Sequence, residues 1–122
     1  MIQKEKDLLL QDLSSRLPYG VILECCGLVG EELRTMTKEG LINDDYDIDE
    51  VRPMLFPLSK MTKKQKEEFD ALYWEAREKA PDYLFDYMYS SIKSNWLYKN
   101  HFDVNGLIPL GLAKNATGLN IY

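Results

Sequence analysis

Apolar residues recur along this chain at two spacings, and the change from one to the other divides it into elements. Between residues 3 and 16, Leu9 and Leu13 form a stripe, extended by Leu10 and Leu17, with Lys, Glu, Asp and Gln opposite. That period predicts an amphipathic helix. Pro18 ends it, because the residue before a proline is pushed out of the α region, and Tyr19-Gly20 supplies a turn. Val21-Ile22-Leu23-Glu24-Cys25-Cys26 is then a β-favouring run bounded by glycines. Residues 33–37, 41–43 and 46–48 are similar short pieces, with Lys38-Glu39-Gly40 as a hairpin turn between two of them. Together they predict a small antiparallel sheet or an SH3-like partial barrel over about residues 20–58. Pro53 and Pro57 bracket Met54-Leu55-Phe56, which reads as an extended apolar strap leaving the sheet, since neither proline can donate a ladder bond.

Helical spacing returns in the second half. Thr62 followed by Gln65 matches a capping box, and Phe69, Leu72, Tyr73 and Ala76 follow on one face, which predicts a helix over 62–79. Ala80-Pro81 breaks it, and Pro81 is suited to open the next helix, over about 82–100. Asp82 and Asp86 near that start and Lys93 and Lys99 near the end suit the helix dipole. Apolar side chains from Tyr83 to Leu97 wrap most of its circumference, so it is expected to be central or shared with a partner. The fold class that results is α+β in a single domain over 1–122, with an N-terminal helix and two C-terminal helices packed on the sheet.

Composition changes this picture little, but charge adds something. Hydrophobic residues are 45% and charged residues 29% of the chain, which is ordinary globular usage. Residues 18–61 hold nine acids and four bases, while 1–17, 62–100 and 101–122 each sum to zero, so the whole excess of negative charge sits in one segment. Nucleic-acid binders show the opposite, a clustered basic face, and nucleic acid is disfavoured as a partner. Acids within the first seven residues argue against a signal peptide, and no apolar run approaches the roughly 18 residues of a membrane span. The expectation is a cytoplasmic protein without membrane contact, whose adjacent Cys25 and Cys26 stay reduced.

Three constellations are candidates for chemistry. Asp45, Asp47 and Asp49 match the first ligand positions of a calcium loop, but Glu50 stands where the loop needs glycine and Phe56 where it needs a bidentate glutamate. Tyr46 and Ile48 alternate with the acids, so a solvated strand edge is expected and no metal site. His101 and Asp103 could supply a base and its orienting carboxylate for Cys25 or Cys26, yet no local signature surrounds either cysteine. A lone histidine just past a helix end is expected to be a cap, so no catalytic residue and no cofactor are assigned. The aromatic residues are the third. Most are expected in the core, and the surplus around 82–104 is expected to form an interaction surface of Tyr87, Trp96, Tyr98, His101 and Phe102.

Three segments carry a resemblance: Arg16-Leu17-Pro18-Tyr19-Gly20-Val21, residues 52–62 from Arg52-Pro53 to Met61-Thr62, and residues 95–113 from Asn95-Trp96 to Leu112-Ala113. With these the chain resembles a family of small uncharacterised proteins from gut Bacteroides-type bacteria and their phages. The resemblance implies a phage-linked or mobile-element setting and assigns no functional residue. The expected function is a non-catalytic protein-interaction module, binding a protein partner or a second copy. The alternative is a nucleic-acid-associated accessory protein, with an enzyme a more distant third.

Overall fold

Two fully buried leucines, Leu9 and Leu13, anchor the first helix. In the computed structural model, which describes residues 1–27, 30–43 and 46–122 and the side-chain environments of all of these but 26, 27, 30 and 31, α1 spans Gln3–Ser15. A 3₁₀ turn at Leu17–Tyr19 follows, with Gly20 left-handed at φ 66°. β1, Ile22–Gly27, and β2, Gly30–Thr35, pair antiparallel with Ile22 opposite Thr35 and Cys25 opposite Glu32. Alternation from Val21, just before β1, into the strand turns Val21 and Leu23, both fully buried, into the core cluster that contains Leu9 and Leu13. Cys25 shares that face and packs against the cluster.

The segment after β2 departs from the expected strands. Lys38–Ile42 is a short helix, α2, where the sequence suggests a hairpin turn and a third strand. Thr37 decides this: its Oγ1 accepts from Gly40 N at 3.0 Å and caps the helix, a bond a hairpin would not supply. Gly40 is buried there, and a Cβ on it would lie 2.6 Å from Tyr46 Oη. Residues 46–50 are a turn rather than a strand edge, closed by Val51 N donating to Asp47 O at 2.8 Å and by Asp49 N donating to Asp47 Oδ1 at 3.0 Å. Tyr46 and Ile48 pack on the core and Asp47 and Asp49 stay exposed, so the alternation in burial is present but a turn produces it. Asp44 and Asp45 of the acidic run lie outside the described residues.

β3, Arg52–Leu55, is a central strand and not a strap leaving the sheet. It pairs antiparallel with β1, with Leu23 opposite Pro53 and Glu24 opposite Arg52. Bonded and unbonded rungs alternate in an antiparallel ladder, and a proline cannot donate. The bonded rung is therefore the one at Glu24, and Pro53 occupies the rung that needs no donor. On its other side β3 pairs parallel with β4, Lys114–Asn115, and Ala116 N donates to Leu55 O at 2.8 Å. The order β2-β1-β3-β4 is an open four-stranded mixed sheet, so the antiparallel alternative holds for the first three strands and the SH3-like closure does not form. The fourth strand comes from beyond residue 58, where no strand is expected from the sequence.

α3, Lys63–Lys79, has the predicted cap: Gln65 N donates to Thr62 Oγ1 at 3.1 Å and Thr62 N to Gln65 Oε1 at 2.9 Å. α4, Phe85–Lys99, starts later than Pro81 because residues 81–84 form a turn of their own, with Leu84 N donating to Pro81 O at 2.9 Å. Its C-terminus is closed by two crossed bonds, Phe102 N to Leu97 O at 2.9 Å and His101 N to Tyr98 O at 3.0 Å, with His101 left-handed at φ 63°. From there an irregular tail returns along the sheet, adding Leu107, Leu112 and Ala113 to the core that α1 covers. Among the described residues, no helix is long and apolar enough to cross a membrane.

Candidate interaction surface

The α3–α4 hairpin holds together by rings. Tyr73 of α3 meets Phe85 and Tyr89 of α4 edge-on, at centroid distances of 5.3 and 5.5 Å, and the Arg77 guanidinium lies 3.7 Å above the Phe85 ring. Arg77 Nε also donates to Tyr73 Oη at 3.1 Å. Such a layer fixes the two helices to each other without Tyr83 or Tyr87, while Trp74 adds an edge-on contact to Tyr73 at 5.1 Å. The outward rings are Tyr83, 78% exposed, Tyr87, 77%, and Trp74, 67%, joined by Leu84. Tyr83 lies in the turn that leads into α4 and Tyr87 in the first turn of the helix, so both rings sit at the same end of the hairpin.

The five residues expected at the surface are not brought together there. Tyr87 is on it. Trp96 is half-buried between Phe69, at 5.4 Å, and Phe102, stacked at 5.9 Å with 12° between planes. Phe102 is 1% exposed and belongs to the core, because its backbone bridges Phe56 in parallel and draws the ring under the sheet. Tyr98 covers the Arg16 guanidinium at 4.9 Å, and its Oη accepts from Asn105 Nδ2 at 3.2 Å. His101 stacks on the Tyr122 ring at 3.7 Å and 10°. Trp74, Tyr83 and Leu84 take the vacated places. For Tyr83 and Leu84 the signal was their position just after the Ala80-Pro81 break, where neighbouring elements offer least cover, whereas Trp74 lies inside α3 and carried no such mark.

Beneath α4 lies a polar cluster built on Arg16 and Asp12. Arg16 and Asp12, both fully buried, pair through Nε to Oδ2 at 2.7 Å and Nη2 to Oδ1 at 3.1 Å. Arg16 Nη2 also donates to Phe102 O at 2.7 Å, and Asn105 Nδ2 to Asp12 Oδ1 at 2.9 Å. Nearby, the hydroxyl of Tyr122 takes the place of a ladder rung: Ile22 N of β1 donates to it at 2.8 Å, and it donates to Met54 O of β3 at 2.7 Å. Burial pushes that phenol up to about 12. Asp103 spends both oxygens on the loop it closes, accepting from Leu107 N at 2.8 Å and Ile108 N at 2.9 Å. It therefore does not orient His101, whose Nδ1 is buried with no partner among the described residues. These side chains are arranged to hold a fold, with no base aligned to a nucleophile. The Cys26 side chain lies outside the described residues.

Burial first, and Arg16 second, lower the pKa of His101 from 6.5 to about 4. The unfolded chain takes up this proton near the ordinary value while the folded chain does not, so stability is present above about pH 6.5 and falls as the pH drops toward about 4. His101→Asn keeps a side chain that tolerates the left-handed backbone and should flatten this limb of the curve. Urea midpoints measured between neutral pH and about pH 4 check it, and an unchanged slope in the variant would rule out His101 as its source.

At the start of α3, Leu58, Met61 and Phe69 line a cleft of about 320 Å³ with Ser59, Lys66 and Asp70, small for a ligand pocket. Among the described residues no group of three or more His, Cys, Asp or Glu side chains could hold a metal ion. Compared with protein-family models, with curated proteins and with solved structures, the chain matches none.

Proposed function

We propose that this protein is a non-catalytic interaction module that binds a partner protein through the turn end of the α3–α4 hairpin. The observation that carries the reading is the exposure of Tyr83 and Tyr87, at 78% and 77%, on a scaffold already fixed by Tyr73, Phe85, Tyr89 and Arg77. Tyrosine and tryptophan supply large contact area at little entropic cost, and a rigid base keeps that cost low. Asp82 and Asp86 border the two rings, which suits a partner with an apolar pocket rimmed by basic side chains. The engagement of Asp103 with its own loop and of Arg16 with Asp12 supports a module without a reaction centre.

The test uses the whole chain and its Tyr83→Ser/Tyr87→Ser variant as baits in extract from the native host. Both rings are exposed, so thermal unfolding should be unchanged within the usual range for surface substitutions, about 0.5 kcal/mol. Affinity for any protein held by the unaltered chain should drop by roughly thirtyfold per ring, the equivalent of about 2 kcal/mol each. Equal retention by both baits would place the contact elsewhere and defeat this reading.

A further inference from the structure

β2 is an edge strand, and its free edge is self-complementary. Met36 N donates to Val21 O at 2.8 Å, which fixes the parity of the hairpin: even-numbered residues of β2 point their backbone groups at β1, and Leu33 and Thr35 point theirs away. No strand among the described residues lies on that side, and Glu32, Leu33, Arg34 and Thr35 are all exposed. An open edge of this kind is a template for another strand. Charged side chains are one of the devices that protect an edge, but here Glu32 and Arg34 carry opposite signs on one face, already 2.7 Å apart within the chain.

We propose that two copies of this chain join through their β2 strands, antiparallel about a two-fold axis at Leu33, to form one continuous eight-stranded sheet. The parity allows only registers in which odd residues face odd residues. With the axis at Leu33, Glu32 of each copy faces Arg34 of the other, and the two leucines, 45% exposed in the single chain, meet on the opposite face. Moving the axis by one residue either way sets Glu32 against Glu32 or Arg34 against Arg34, both repulsive. Charge thus selects a second copy in one register, and β2 is separate from the hairpin rings of the proposed module.

Sedimentation velocity from about micromolar to about millimolar concentration tests this. The unaltered protein should dimerise, and Glu32→Arg or Arg34→Glu alone should weaken the dimer by roughly tenfold. The combined Glu32→Arg/Arg34→Glu exchange only swaps the two signs and should restore it. Leu33→Pro removes an outward donor that β1 does not use and should abolish the dimer, with circular dichroism confirming that the variant is folded. A monomer at every concentration overturns the proposal, as does a dimer indifferent to the single charge reversals. A dimer lost in Tyr83→Ser/Tyr87→Ser would lie on the hairpin and overturn it too.

Discussion

Arg16→Met is expected to destabilise the protein by about 3–5 kcal/mol, the cost of leaving one member of a buried ion pair alone. Arg16 and Asp12 are each fully buried, and the guanidinium also bonds Phe102 O at 2.7 Å. Its removal strands a carboxylate and a carbonyl together, with only Asn105 Nδ2, among the described residues, left on Asp12 Oδ1. Arg16 Nη1 has no partner among the described residues, so the pair is not a fully satisfied network to begin with. Asp12→Leu/Arg16→Met removes both charges and should recover much of the loss, because well-packed apolar replacements of buried pairs are often neutral. Urea unfolding of the two variants decides it. A loss below about 1 kcal/mol in Arg16→Met would mean that water reaches the pair.

Phe102→Ala is expected to cost about 3–5 kcal/mol as well, through the cavity left by a fully buried ring. The ring fills the space between the Trp96 indole, stacked at 5.9 Å, and Phe56, at 6.2 Å. It is the joint between the α3–α4 hairpin and the sheet. Tyr87→Ala, from the same group of sequence-selected aromatics, should change stability by no more than about 0.5 kcal/mol, since the ring is 77% exposed. Comparable losses in the two variants would contradict the placement of either ring. Because Arg16 bonds the Phe102 carbonyl, Arg16→Met and Phe102→Ala should be non-additive in combination.

The sequence by itself determined the elements whose signals are local. The Leu9–Leu13 spacing, the Pro18 stop, the Val21–Cys26 run and the Thr62–Gln65 box act within a few residues, and the structure has α1, β1 and α3 where they indicate. The α+β class followed from the same signals. α2 was also legible, because Thr37 is a good N-cap, but the β-like residues around it masked the cap. Asp12 and Arg16 sit three residues after Leu9 and Leu13, hence on the same helical face, and charge alone made Asp12 read as solvent-facing.

Only tertiary structure could decide the rest, because it depends on contacts across long separations. Pro53 became a central-strand residue once β1 arrived with an unbonded rung opposite it, and β4 exists because the tail returns some 60 residues later to pair with β3. The aromatics carry no mark of inside or outside in their own identity. Phe102 went to the core because the turn after α4 delivered it to Phe56, and Tyr83 and Tyr87 stayed in water because no element among the described residues covers them. Composition set how many large rings there were to bury, while the path of the backbone set which of them found cover.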